Sequence, residues 1–126
     1  MTIQRVLVVD DSPTERQVLS DFLTQQGMSV LTAEDGEQAV ARARTEQPDL
    51  ILMDVVMPGM NGYQATRVLA RDEVTRHIPI IMCTSKDQPT DRIWGMRQGA
   101  LDYLTKPVDL GALMRTIEAL RSGASS

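Results

Sequence analysis

The stretch Val6-Leu7-Val8-Val9-Asp10-Asp11-Ser12-Pro13-Thr14-Glu15 decides how the rest of this chain is read. Its four apolar residues are continuous rather than alternating, which suits a strand covered on both faces, as in a parallel sheet. Ser12 then offers a capping hydroxyl, Pro13 a proline at the first helical position, and Glu15 a carboxylate three residues beyond the cap. A helix is expected to open there. Two aspartates stand at the join.

The same alternation runs down the chain. Continuous apolar runs at 50–53 and 78–83 predict two further covered strands, and 30–33 and 103–105 are weaker candidates. Between them lie helical patterns. The first carries Val18, Leu19, Phe22 and Leu23 on one face and ends near Gly27. Asp35 and Gln38 repeat the capping spacing ahead of Ala39, Val40 and Ala43, and Pro48 closes that segment. Residues 62–71 form a third helix with Val68 and Leu69 inward. Residues 89–98, stopped by Gly99, form a fourth, and a fifth starts near Asp109 with Leu110, Leu113, Met114, Ile117 and Leu120 at helical spacing. Strand–helix alternation repeated five times predicts an α/β fold: a doubly wound parallel sheet with helices on both faces. One domain over 1–126 is expected, with its core at about 4–121 and a flexible tail at 122–126.

Composition narrows the function. A chain of 126 residues with 42% hydrophobic and 24% charged residues suits one globular domain. A net charge of −4, with no clustered Lys and Arg, argues against nucleic-acid binding. No apolar stretch is long enough to span a membrane, and the first residues lack a signal-peptide pattern, so the cytoplasm is the expected compartment. The single cysteine, Cys83, falls in an apolar run and reads as a buried, inert thiol.

In doubly wound sheets, ligands bind outside the carboxyl ends of the strands, where strand order reverses. The residues placed there are Asp10 and Asp11, Asp54, Thr84 and Ser85, and Lys106. Three crowded carboxylates repel unless a cation lies among them. Mg²⁺ suits such oxygen ligands together with a phosphate oxygen. Zinc does not, because the one histidine and one cysteine lie away from this edge. With a cation present, one carboxylate can attack a phosphoryl group and hold it as an acyl phosphate, while Lys106 and Thr84 offer a charge and a hydroxyl to its oxygens. Taken singly, each residue has an ordinary explanation as a cap, a loop carboxylate or a turn. Asp10, Asp11, Asp54, Thr84 and Lys106 together, all at strand ends, do not.

These residues resemble the receiver domain of two-component response regulators, the CheY-like family. The resemblance rests on Val8-Val9-Asp10-Asp11-Ser12, on Leu52-Met53-Asp54-Val55-Val56-Met57-Pro58-Gly59-Met60-Asn61-Gly62, on Thr84-Ser85, and on Tyr103-Leu104-Thr105-Lys106-Pro107. It spans Arg5 to Leu120 and implies a flavodoxin-like (βα)5 fold. It further implies that Asp54 is the phosphorylation site and that Mg²⁺ is held by Asp10, Asp11, Asp54 and the Val56 carbonyl, with Asp10 acting through water. Thr84 and Lys106 would contact the phosphoryl group, and Tyr103 would be the switch aromatic. Pro107 would follow a cis peptide bond.

The implied donor is a CheA-like histidine kinase, and His77, in an expected solvated loop, is not the donor residue. The chain would catalyse only its own phosphorylation and dephosphorylation. The segment 85–100 is similar to stand-alone regulators of type IV pilus (twitching motility) systems, with flagellar chemotaxis as the other pathway. Val56, at a position that varies within the family, is apolar and cannot orient water, so a long-lived phosphate is expected.

The signal would leave through the exposed face of the fourth helix, fifth strand and fifth helix toward a protein partner, from a monomer or weak dimer. Trp94 reads either as an interface anchor or as packing of the fourth helix. Met57 and Met60 read as an adaptable contact or as loop filler, and Lys86, Arg92 and Arg97 as a locally basic, solvated side. Three rivals remain at this point. A Mg²⁺-dependent phosphatase would want a second aspartate two positions after its nucleophile. A flavin-binding domain would want a Ser/Thr/Gly-rich phosphate loop after the first strand. A receiver-like binding module that acts without phosphorylation is not distinguished by residues alone.

Overall fold

The computed structural model describes residues 2–123. Five parallel strands, β1 (Arg5–Val9), β2 (Ser29–Ala33), β3 (Leu50–Met53), β4 (Ile80–Thr84) and β5 (Asp102–Thr105), alternate with five helices. These are α1 (Pro13–Gln25), α2 (Gly36–Glu46), α3 (Gly62–Arg71), α4 (Pro89–Gln98) and α5 (Leu110–Ser122). Strand order is β2-β1-β3-β4-β5, so the direction of winding reverses between β1 and β3.

The side-chain period of two distributes the apolar runs to both faces. Val6, Val8, Leu50 and Leu52 join Leu19, Leu23, Leu113, Ile117 and Leu120 in one core beneath α1 and α5. Leu7, Val9, Ile51 and Met53 join Ala39, Ala43, Ala65 and Leu69 in a second core beneath α2 and α3. Fully burying each large side chain stabilises the fold by about 1.5–3 kcal/mol. A third cluster of Val55, Met82, Ala100 and Tyr103 is packed by Tyr63. The central strands are buried residue after residue except at Arg5, whereas edge strands β2 and β5 are half exposed, which explains their weaker signal.

Several expectations need correction. The fourth strand begins at Ile80 rather than residue 78, because Pro79 has no N–H for the ladder and the Ile78 N–H bonds Thr75 O in a turn. Val18 (54% exposed) and Val68 (41%) point outward, since Leu19 and Leu23, and Ala65 and Leu69, define the buried stripes of their helices. Met57 belongs to the second core, with Met60 packed against it, so neither forms an adaptable surface contact. Ser122 ends α5, and Gly123 caps it in the left-handed region at φ 74°. The rest of the expected tail, 124–126, lies outside the described residues.

Candidate functional site

Three strand ends build the site. The Asp10 N–H bonds Ala33 O and the Asp54 N–H bonds Val9 O, so both aspartates continue the sheet ladder by one residue before the chain turns away. Lys106 is tied to β4 in the same manner, its N–H donating to Thr84 O at 2.8 Å. The peptide bond from Lys106 to Pro107 is cis, as the resemblance implied.

The side chains then converge. Lys106 Nζ lies 2.8 Å from Asp10 Oδ2, 2.5 Å from Glu15 Oε2 and 3.4 Å from Asp54 Oδ2. Asp10 is 2% exposed and Asp54 5%. The other oxygen of each is held by backbone: Asp10 Oδ1 accepts from Ser12 N, and Asp54 Oδ1 from Val55 N. Thr84 is fully buried at the end of β4, and its Oγ1 accepts from Lys86 N at 3.3 Å. That bond uses an acceptor position and leaves the hydroxyl proton available.

Close backbone packing fixes the Asp54 loop. Gly62 opens α3 directly over Asp54, and a Cβ at this position would lie 2.0 Å from the Asp54 carbonyl oxygen. Asn61 caps the helix through a reciprocal box with Gln64.

Burial pushes the Asp54 carboxyl above the ordinary aspartate range; the Lys106 charge opposes this and Asp10 adds to it. For Lys106, burial favours the neutral amine. Hydrogen bonds to Asp10 and Glu15, with the charges of Asp54 and Asp10, outweigh it and hold the ammonium above the usual lysine value. The site therefore rests as one firmly protonated amine among acidic groups. Cys83, buried beneath it, has its thiol pushed up to about 12, chiefly by burial, so it is an inert core residue as expected.

Glu15 is the member that sequence reasoning missed. Its N–H is capped by Ser12 Oγ as the pattern required, yet its carboxylate does not return to the cap; it turns to Lys106. Oxygens of Asp10, Glu15 and Asp54 fall within 4.8 Å of one another. Asp11, next to Asp10 in sequence, is exposed and is not a member of this group. An all-oxygen, carboxylate-rich donor set of this kind fits a hard divalent cation.

The switch side is equally defined. Tyr103 is 4% exposed, and its hydroxyl donates to Lys86 O at 2.8 Å. Arg92 is not a free surface cation: it bonds Tyr103 O at 2.9 Å and pairs with Asp102. Trp94 is 48% exposed on α4 beside Ile93, at 52%, so it does not serve as core packing. Val56 is 53% exposed and, with Val55, Met57, Asn61, Tyr63 and Lys86, lines a shallow pocket beside Asp54. His77 is exposed in the turn after α3.

In sequence and fold the chain is similar to known proteins. The response regulator receiver domain family matches residues 6–118. The chain is 57% identical over 119 residues to Protein PilH of Pseudomonas aeruginosa, covering 94% of this chain and 98% of that protein. It is 45% identical over 116 residues to Response regulator PleD of Caulobacter vibrioides, covering 92% of this chain but 26% of PleD. Among solved structures, the chemotaxis response regulator CheY4 of Vibrio cholerae superposes with a TM-score of 0.85 at 35% identity, over 93% of this chain and 98% of that one. A Francisella response regulator receiver domain superposes at 0.88 with 27% identity, over 96% and 98% of the two chains.

Proposed function

The chain belongs to the response regulator receiver family, and from that premise we propose that Asp54 accepts a phosphoryl group from a phosphohistidine of a CheA-like kinase. Receiver domains take phosphate from histidine kinases and act on downstream partners. In the proposed step an Asp54 carboxylate oxygen attacks phosphorus. The phosphorus–nitrogen bond to the donor histidine breaks, an acyl phosphate forms, and the departing imidazole nitrogen takes a proton.

The residues present divide the work. Lys106 already faces Asp54 Oδ2 and neutralises a phosphoryl oxygen. Thr84, with its hydroxyl proton free, donates to another. Asp10, Asp11, Asp54 and the Val56 carbonyl would hold Mg²⁺, which when bound offsets negative charge on the phosphoryl oxygens. Burial of Asp10, Asp54 and Thr84 keeps competing water out. The reaction is the chain's own modification; it turns over no separate substrate.

The observation that carries this reading is Lys106 Nζ shared between Asp10 and Asp54 at three strand ends. Similarity to PilH over 98% of that protein's length supports a stand-alone switch in pilus-based motility. We propose that it works in the cytoplasm and signals through the α4, β5 and α5 face. Among the described residues no helix is long and apolar enough to cross a membrane. Incubation with acetyl phosphate and Mg²⁺, followed by intact mass measurement beside Asp54→Asn, tests the assignment. A phosphoryl adduct on the parent chain alone is expected. An adduct on both proteins would overturn the site, and an adduct on neither would favour the binding-module reading.

A further inference from the structure

The three carboxylates around Lys106 are not equivalent. Its ammonium hydrogen-bonds Glu15 Oε2 at 2.5 Å and Asp10 Oδ2 at 2.8 Å, whereas Asp54 Oδ2 stands off at 3.4 Å. A charge-assisted bond from ammonium to carboxylate spans about 2.7–2.9 Å, so the group that is to carry phosphate is the one not yet bonded. Lys106 and Glu15 also share the wall of a pocket with Val18, Leu19, Val108 and Leu110, which Asp54 does not line. The amine thus leans toward α1 and the loop after β5 rather than toward the carboxylate that reacts.

Asp10 and Asp54 have little freedom to change this. Each continues a strand, and each has its second oxygen fixed by a backbone N–H, from Ser12 and Val55. Glu15 differs in both respects. It lies in the first turn of α1, its side chain is 44% exposed, and among the described residues its carboxylate bonds nothing but Lys106. Arg16, the neighbouring cation, is committed to Asp10 O and Glu34. A phosphoryl group on Asp54 would bring charge of about −2 and three acceptor oxygens to the same ammonium. Of the three carboxylates, Glu15 is the one that can swing into solvent when this happens.

We infer that Glu15 is a positioning residue that holds the Lys106 ammonium on the α1 side of the cleft and competes for it with the phosphoryl group on Asp54. This deepens the proposed function and rests on it, because the competition exists only if Asp54 carries phosphate. Phosphorylation then exchanges one ion pair for another, and Glu15 lowers the gain. A pair with one half-exposed member contributes modestly, so removing the competitor should tighten phosphoryl binding about threefold.

Beryllofluoride, a tetrahedral phosphoryl analogue, probes this without bond making. Calorimetric titration in saturating Mg²⁺ should show Glu15→Gln binding it about threefold more tightly than the parent chain. The second readout is the coupling across the hydrogen bond between the Lys106 ammonium nitrogen and the Glu15 carboxyl carbon. In the parent chain it is expected in chelator and in Mg²⁺ alone, and lost once beryllofluoride binds. A coupling that survives beside bound beryllofluoride overturns the inference, since Lys106 would then serve both groups. Its loss on adding Mg²⁺ alone, or its absence in chelator, does the same. Glutamine keeps the side-chain length and the N–H that Ser12 caps, and the coupling in the parent chain decides even without the variant. Equal or weaker binding by the variant overturns the competition alone. Binding to neither chain would overturn the proposed function and the competition with it.

Discussion

An ion pair of 2.8 Å joins Lys106 to Asp10 across 96 residues of chain, linking the loop after the last strand to the loop after the first. The same ammonium also serves Glu15 and Asp54. One cation thus offsets acidic groups that otherwise repel, two of which are almost wholly buried.

Replacing that cation should be costly in a pH-dependent manner. Lys106→Met is expected to destabilise the metal-free fold by about 3 kcal/mol at neutral pH, because it strands buried charge. Asp54 already titrates above the ordinary range, and losing Lys106 raises it further. A folded-state pKa above the unfolded value contributes stability that is present at low pH and lost as pH rises through it. Urea unfolding should therefore show the deficit shrinking as pH falls, and also on adding Mg²⁺. A deficit independent of both would contradict the role given to Lys106.

Asp54→Asn should have the opposite sign. The Asp54 carboxyl is held high by burial first, so its ionisation near neutral pH opposes folding. In metal-free buffer the Asn variant is expected to melt a few degrees above the parent at about pH 7, with the two curves converging near pH 3, where both side chains are neutral. Thermal scans in chelator across that range check it; a gap that widens toward acid would refute the sign.

Gly62→Ala puts a methyl group where the Asp54 carbonyl oxygen lies. Backbone, not a flexible side chain, must give way, so a loss of about 3 kcal/mol or more is expected. Phosphoryl uptake from acetyl phosphate should fall with it, because the Asp54 loop moves. Full stability in denaturant titration would show that α3 can shift freely.

Val56 is exposed in the pocket beside Asp54 and offers no polar atom from its side chain. Val56→Asn is expected to shorten the lifetime of the aspartyl phosphate by roughly threefold to tenfold, since an amide can orient water for attack. A hydrolysis time course decides the matter, and an unchanged rate would remove Val56 from any part in phosphate lifetime.

How much of this was legible depends on where each partner lies. The central strands announced themselves because burial on both faces demands unbroken apolar runs; β2 and β5, half exposed at the sheet edges, were fainter for the same reason. Asp10, Asp54 and Lys106 could be placed together because strand ends are adjacent in any such sheet. Val18 and Val68 were misplaced, being apolar residues adjacent in sequence to the leucines that define the buried stripe. Glu15 escaped notice because a helix cap already explained it. The bond from Tyr63 to Asp91 was invisible, since the two lie 28 residues apart and no local pattern marks them.

The lone thiol has a practical bearing on all of these measurements. Cys83 is 2% exposed, and its proton is held to about 12, so thiol reagents at neutral pH find no target in the folded chain. A cysteine introduced on any outer helix face would then be the single labelling position. A spin probe or a dye can be attached to α4 or α5 without first removing the native residue and disturbing the core around it.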